Sequence, residues 1–279
     1  MYELFVENYR GEKLKLVPNP NYIVEIDGLT GGTAAINTTV AGNSAGSRFN
    51  SSRAEEGEMP LSIMPRGQVE KNRIELYKYF QRGKPVRIYY KNSTRDVYRD
   101  GYVEQSPAGS LFTDKETMEI SIICPQPYWQ SVTQNVADIS DVIPLFTFPF
   151  AIEDPIHFSR LEKGVEKTVV NNGDVESGVI IELQAEGAVR DIVIYDMFGG
   201  SFAVNYPMES GDRITINTYK GQKRMTLLKK GVESNVFKYV GENPTWFTLD
   251  PGDNVFIVSA TGSEYLQVRY YNYNLYEGV

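Results

Sequence analysis

Hydrophobic and polar residues alternate along most of this chain, with the two-residue period of a half-buried β-strand. In the first half, the alternation covers Val86 to Tyr90 and Met118 to Ile122. In the second half it recurs in short segments separated by turn sequences, around residues 179–183, 192–194, 214–216 and 266–270. The pattern predicts a mainly β protein. No helical pattern interrupts residues 165–275, so this part is predicted to be a β-sandwich or barrel.

One segment has the period of a helix instead. Between Gln68 and Arg82, apolar positions fall on one helical face, joined by an arginine whose stem can lie on that face. The stripe comprises Val69, Arg73, Leu76, Tyr77 and Phe80. Gly83 and Pro85 end the segment. The sequence therefore predicts one amphipathic helix that covers a mixed β-sheet in a split-barrel-like N-terminal domain.

Residues 29–58 differ in composition from the rest of the chain, being small, polar and rich in glycine. Long stretches of this kind inside a compact domain are uncommon and are usually functional or disordered. Scattered apolar residues such as Ile36, Val40 and Phe49 favour an arm that folds against another molecule. Doubled back as a hairpin, it would reach roughly 50 Å. The alternative is a mobile surface loop.

The sequence CPQPYWQ, residues 124–130, contains the only cysteine and one of the two tryptophans. Pro125 and Pro127 cannot donate to a β-ladder, so a strand has to end here. Tyr128 and Trp129 are predicted to fold over the sheet end as an apolar plug, with Cys124 as a small buried hydrophobe. The alternative is a catalytic thiol paired with His157, the only histidine, which would need an exposed and electropositive setting.

The chain is predicted to have two domains. An N-terminal domain covers residues 1–132 and includes the arm, residues 29–58. A linker follows over 133–150, where Pro144 and Pro149 flank the apolar run Leu145–Phe148 and the pattern is weak. A C-terminal β-sandwich covers 151–279.

Charge excludes one class of function. The formal net charge is −8, and residues 141–279 hold 12 Lys and Arg against 19 Asp and Glu. An acidic chain without a basic stripe is poorly suited to gripping phosphate backbones, so specific nucleic-acid binding is not expected. No apolar run reaches the roughly 18 residues needed to span a bilayer, and no signal peptide pattern is visible. One cysteine fits assembly in a reducing cytoplasm.

No combination of residues favours catalysis. The phosphate-binding, dinucleotide-binding and HExxH motifs do not occur, and a single histidine removes most triads and histidine metal sites. We therefore expect no enzyme activity, no metal and no cofactor. Trp246, Tyr271 and Tyr273 could stack on sugars, although core or interface placement is the favoured interpretation of such aromatics.

Several short motifs follow one another in a fixed order. Asp27-Gly28-Leu29 precedes the glycine-rich arm, Arg73, Leu76 and Phe80 mark the helix, and a strand ends in Cys-Pro-x-Pro-aromatic-Trp. The second half adds Val170-Asn171-Asn172-Gly173-Asp174, Gly211-Asp212-Arg213-Ile214, Leu249-Asp250-Pro251-Gly252 and the closing Tyr276-Glu277-Gly278-Val279. In this order the motifs resemble the distal tail protein (Dit) family of phages and related tail-like particles.

The resemblance implies a hexameric ring, formed by the N-terminal domain, that continues the tail tube, and a galectin-like sandwich that projects outward. It implies a virion protein of the tail tip or baseplate, whose partners are its own copies, the tail tube protein and tail-tip or baseplate proteins. We take as subunit-interface candidates Leu29, Thr30, Ile36, Val40, Phe49 and Arg53. The alternative is a carbohydrate-binding adhesin that uses the C-terminal sandwich. The chain has no room for an inserted carbohydrate-binding module.

Overall fold

The structure is a computed structural model, and it describes residues 2–40, 42, 45–109, 116–138, 143–144, 159–160 and 166–279. The chain divides into two units. Unit 1 comprises Met1–Thr133 together with Leu275–Val279, and unit 2 comprises Gln134–Asn274. The chain therefore crosses between the units twice, and its last residues return to unit 1.

Among the described residues, the first unit contains ten strands and one helix before the first crossing. Their bounds are β1 (Glu3–Glu7), β2 (Lys13–Val17), β3 (Tyr22–Ile26), β4 (Ala34–Thr39), β5 (Arg48–Ala54), β6 (Gly57–Pro65), α1 (Val69–Tyr79), β7 (Pro85–Lys91), β8 (Asp96–Gln105), β9 (Met118–Cys124) and β10 (Trp129–Ser131). Strands β4 and β5 pair only with each other, whereas the rest belong to one large sheet.

The large sheet of unit 1 has the strand order β2-β1-β7-β8-β9-β6-β3 and curls into a half-barrel. Its pairings are antiparallel throughout the described residues, so the predicted mixed sheet was wrong in this detail. Inward side chains alternate with outward ones along strands such as β6, where Met59, Leu61 and Ile63 are buried. They form one hydrophobic core, which includes Leu4, Leu61, Ile88, Ile122 and Trp129.

Helix α1 covers this core with most of the predicted face, and only Tyr77 departs from it. Leu76 and Phe80 are fully buried, as expected, and Asn72 is buried beside them. Tyr77 is 39% exposed, because it lies about 100° around the helix from Leu76 and points away from the sheet. Arg73 is half-buried and pairs with Glu116 at 2.9 Å. The helical period predicted the position of the helix. The packing of α1 against the sheet determined which of its side chains are buried.

In the part of the second unit that the structure describes, there are fourteen strands and two short 3-10 helices. The strands are β11 (Asn135–Asp138), β12 (Ile143–Pro144), β13 (Ser159–Arg160), β14 (Glu166–Asn171), β15 (Ser177–Gly178), β16 (Ile180–Ala185), β17 (Arg190–Asp196), β18 (Ser201–Val204), β19 (Arg213–Asn217), β20 (Arg224–Lys229), β21 (Val232–Asn235), β22 (Thr248–Leu249), β23 (Gly252–Thr261) and β24 (Leu266–Asn272). The 3-10 helices span Phe237–Tyr239 and Ser263–Tyr265.

Two sheets of unit 2 share one core. A six-stranded sheet has the order β11-β24-β16-β19-β20-β21, and a four-stranded sheet has the order β14-β23-β17-β18. Leu183 and Ile214 from the first sheet meet Ile194 and Phe256 from the second in a single hydrophobic cluster. Phe256 stacks on the fully buried Tyr270, with 5.0 Å between the ring centroids. Unit 2 is thus a sandwich of antiparallel sheets.

After β24 the chain returns to unit 1 and adds a last short strand, β25 (Leu275–Tyr276), which pairs with β10. The sequence placed these residues in the C-terminal sandwich, whereas the structure places them in unit 1. The predicted linker also begins with a strand, because β11 pairs with β24. The apolar run Leu145–Phe148 and the histidine His157 lie outside the described residues.

The sequence also predicts a turn at Asp100-Gly101, but both residues lie inside the continuous strand β8. Gly101 is needed there for close approach. A Cβ built on it would lie 2.4 Å from Ile122 Cγ2 and 2.9 Å from the carbonyl oxygen of Ile123. An isolated glycine in a strand often marks such a close neighbour. The glycine is therefore a packing feature of this sheet.

The predicted fold class is otherwise confirmed: the protein is mainly β, with one α-helix in the first half and a β-sandwich in the second. A galectin-like topology stays a prediction. Among the described residues, no helix is both long and apolar enough to cross a membrane.

Replacing Gly101 by alanine should destabilise unit 1 by about 2 kcal/mol, because the added methyl group overpacks the sheet. The measurement is urea unfolding followed by Trp129 fluorescence in a Trp246→Phe background, which leaves one tryptophan, in unit 1. Gly32→Ala is the matched control, since nothing lies within 4 Å of a Cβ built there. Equal stability of the two variants would contradict the packing role.

Candidate functional site

The predicted arm is a two-stranded hairpin. Strands β4 and β5 pair from Ala34 opposite Ala54 to Thr39 opposite Arg48, with a register shift after Asn37. The hairpin opens with a hydrogen bond from the backbone N–H of Glu55 to the carbonyl of Thr33. Its bounds are narrower than the predicted arm, because Gly57 and Glu58 already belong to β6.

The two faces of the hairpin differ in chemistry. Ile36 and Thr38 are two residues apart and lie on one face of the hairpin. Phe49 is paired with Thr38 and lies on that same face. The other face is polar and basic. It carries Asn37, Thr39, Arg48, Ser51 and Arg53. Among the described residues, neither Arg48 nor Arg53 forms an ion pair.

The apolar residues of the arm are exposed. Ile36 is 64%, Val40 71% and Phe49 59% accessible to solvent. Every residue of β5 is exposed, as are all but one of β4. An isolated two-stranded hairpin is marginally stable at best in water, and a cluster of exposed apolar side chains usually marks an interaction site. We therefore take the arm as the candidate interaction site.

The root of the arm, residues 27–29, is in contrast held in place by contacts within unit 1. The N–H of Asp27 donates to the carbonyl of Pro60, and Gly28 follows in the left-handed region at φ 76°. A Cβ on Gly28 would lie 2.3 Å from the carbonyl oxygen of Glu58. Only glycine combines this conformation with this contact. Of the predicted interface residues, Leu29 is half-buried and packs against the core of its own unit, whereas Thr30 and Arg53 are exposed.

A buried arginine lies beneath the root. Arg99 is 3% exposed, donates to the carbonyl of Gly28 at 3.1 Å and also donates to the carbonyl of Pro127. Its guanidinium lies over the ring of Trp129, 4.7 Å from the centroid. Gly57, where the chain returns from the hairpin, lies against the same guanidinium. A Cβ built on Gly57 would be 3.3 Å from Arg99 Nη1. Burial lowers the pKa of Arg99 below its ordinary value.

Residues 124–129 complete this arrangement. Strand β9 ends at Cys124, as the two prolines require, and Cys124 and Trp129 are fully buried. Tyr128 and Pro127 are half-buried and Pro125 is exposed, so the plug consists mainly of the tryptophan. Burial raises the pKa of the Cys124 thiol to about 11, although the Arg99 charge acts in the opposite direction. A buried neutral thiol is a poor nucleophile.

The three aromatic residues considered for sugar stacking do not form one platform. Trp246 stacks on Phe237 at 5.8 Å and meets the edge of Phe202 at 5.2 Å. Tyr271 reaches Glu182 through its hydroxyl at 3.4 Å. In the described part of the chain, no ring contact joins Trp246 to Tyr271 or Tyr273. The same part contains no group of three His, Cys, Asp or Glu side chains that could hold a metal.

The sequence did not reveal the role of Arg99. Its position in β8 between Tyr98 and Asp100 looks like a solvated strand residue, and only the inward side of the alternation around Val97 hints at burial. Long-range contacts with residues 71 and 28 positions away in sequence decide it. Such contacts leave no periodic signal.

Comparison with known proteins identifies the second unit. Residues 172–273 match the family model described as siphovirus-type tail component, C-terminal domain. This match assigns residues 172–273 to the siphovirus-type tail component family. The resemblance to the distal tail protein family is thereby confirmed, and phage-tail structural protein is the description that applies.

Solved structures share the fold of this tail component over its whole length. The SPP1 Dit (gp 19.1) protein, described as a paradigm of the hub adsorption apparatus in phages that infect Gram-positive bacteria, matches with a TM-score of 0.71 and 12% identity over 99% of both chains. The activated baseplate of phage p2 matches in its Ca form at 0.55 and 11% identity, and in its Sr form at 0.54 and 10% identity, each over 100% of both chains. A search of curated protein sequences finds no match.

Replacing Arg99 by methionine should lower the free energy of unfolding of unit 1 by about 3 kcal/mol, because two carbonyl groups at the arm root lose a charged donor. The measurement is the same Trp129-reported urea unfolding. The control is Arg87→Met on the neighbouring strand. Arg87 forms an exposed pair with Asp100, and its loss should cost less than about 1 kcal/mol. A smaller effect at Arg99 than at Arg87 would contradict its structural role.

Cys124 should resist thiol reagents in the folded protein at pH 8, since its pKa of about 11 leaves few thiolates and burial blocks access. The comparison is the rate of modification in native buffer and in denaturant at the same pH. The neutral thiol stabilises the fold below the ordinary pKa of 9.0, and this contribution is lost as pH rises towards 11. Rapid native modification would contradict the buried placement.

Proposed function

We propose that this tail component is a non-enzymatic hub that closes into a hexameric ring through its first unit and joins the tail tube to the distal tip or baseplate proteins. The observation that carries the proposal is the arm, whose apolar residues are exposed although its root is rigidly held. A rigid projection with an uncovered apolar face fits a contact between copies, and a cyclic assembly repeats one such contact until it closes.

The sheet of unit 1 supports ring closure. Strands β2 and β3 stand at the two ends of its strand order. Open sheet edges present unpaired backbone groups, and natural proteins cover or pair them. Copies arranged in a ring can cover each edge with a neighbouring subunit. The arm then adds area to a contact that would otherwise bury about 800 Å² per partner.

Charge on the outward face of this sheet fits a channel for DNA. Four adjacent strands β3, β6, β9 and β8 carry Glu25, Glu58, Glu119 and Glu104 on that face. Arg99 is the only Lys or Arg within these four strands, and it is buried. If this face lines the lumen, it repels phosphates, and DNA passes without binding.

The proposed partners are the protein's own copies, the tail tube protein and tip or baseplate proteins. The lone cysteine fits folding in the host cytoplasm before incorporation into the virion. The buried Cys124 supports a structural role without catalysis, because the chain's single thiol is withdrawn from solvent.

Purified protein should form particles of about six times 31.5 kDa by mass photometry. The double variant Ile36→Glu with Phe49→Glu should weaken assembly by about tenfold or more, because charges replace the apolar face of the arm. The control is Asn37→Glu with Ser51→Glu, which adds the same charge to the opposite face of the same hairpin.

Both variants should unfold like the wild type, since all four positions are exposed. Loss of assembly in both would indicate a general effect of charge on the arm. A monomeric wild type, both alone and with its tube or tip partner added, would contradict the ring.

The carbohydrate-binding adhesin remains a second hypothesis, with less support from the geometry. The ring of Trp246 is already occupied by Phe237 and Phe202. Binding of the full chain to a cell-wall polysaccharide, abolished by Trp246→Ala, would favour it over a purely structural sandwich.

A further inference from the structure

A second peptide holds the root of the arm from another side. After the second crossing, the residues Tyr276–Val279, here called the tail, lie in unit 1. The backbone N–H of Val279 donates to the carbonyl of Leu29 at 3.0 Å. Val279 and Leu29 both pack against the core of unit 1. The tail therefore binds the residue at which the arm leaves the domain.

The fit between the tail and the arm root is close. A Cβ built on Gly278 would lie 3.2 Å from three backbone atoms at once: the nitrogen of Gly31, the oxygen of Leu29 and the Cα of Thr30. Few real Cβ atoms tolerate such contacts. On the other side, a Cβ on Gly31 would meet Glu277 at 3.8 Å. The two backbones pack directly on each other, without side chains between them.

The tail is itself anchored firmly. Tyr276 pairs with Trp129 and Leu275 with Gln130 in the β10–β25 ladder. The guanidinium of Arg95 lies 3.6 Å from the ring centroid of Tyr276, a close cation–π contact. Leu275 is buried. A segment held in this way can fix the position of the backbone that it contacts.

We propose that the tail is a positioning element for the arm. Arg99 fixes the carbonyl of Gly28, and the tail fixes the next three residues. The arm therefore projects from the large sheet of unit 1 in one direction. The consequence for assembly rests on the proposed function: an arm that is already oriented loses less conformational freedom when it docks on a neighbouring copy, and preorganisation of this kind increases affinity.

The experiment measures the direction of the arm and the assembly separately. Nitroxide labels at Asn37→Cys in the arm and Arg82→Cys in the body of unit 1 report one intramolecular distance by pulsed EPR, with labelled protein diluted in unlabelled protein. Cys124 is buried and does not take up label. Two variants disturb the tail: Gly278→Val, and deletion of residues 277–279, which keeps the β10–β25 ladder. Gly32→Val is the matched control, because its surroundings are open.

The wild type and Gly32→Val should give the same narrow distance distribution. Both tail variants should broaden it about twofold and weaken assembly about tenfold, as measured by mass photometry. An unchanged distribution in both tail variants would overturn the inference. Broadening with unchanged assembly would overturn its consequence for the ring. If the wild type forms no ring but the distribution still broadens, the positioning role stands and the proposed function fails.

Discussion

The positive charge of Arg99 lies almost entirely out of water, and it forms no ion pair among the described residues. An arginine stays charged under these conditions, so the fold has to supply electron-rich groups around it. Two backbone carbonyls and the face of Trp129 do so. Because those carbonyls belong to Gly28 and Pro127, this buried charge joins the root of the arm to the segment that ends the sheet. The geometry of the arm depends on this interaction.

The arrangement explains the composition of residues 124–130. The prolines end β9 at Cys124, which turns the carbonyl of Pro127 towards Arg99 and brings Trp129 beneath the guanidinium. The same tryptophan begins β10, whose pairing with β25 brings the tail to the arm root. One short peptide thus contributes to the support of a projection that begins a hundred residues earlier. Burial keeps the cysteine in this peptide neutral.

The rigid root of the arm offsets two disadvantages of its exposed hairpin. An exposed apolar hairpin on a flexible base would lose much of its binding free energy to ordering, and it would also present an aggregation hazard. An oriented hairpin with a basic face restricts the possible partners to surfaces of matching shape and charge. The acidic outward face of strands β3, β6, β9 and β8 shows that unit 1 also carries charge of the opposite sign.

The sequence by itself determined the elements whose causes are local. Two-residue alternation located most strands, the helical period located α1, paired prolines ended β9, and composition marked the arm. Each of these signals reflects a constraint within a few neighbouring residues. The tertiary structure alone decided that Arg99 is buried, that Gly101 lies in a strand, that Tyr77 faces solvent and that the last residues of the chain return to unit 1. These outcomes depend on which distant backbone segments meet, and a linear pattern carries no record of such contacts.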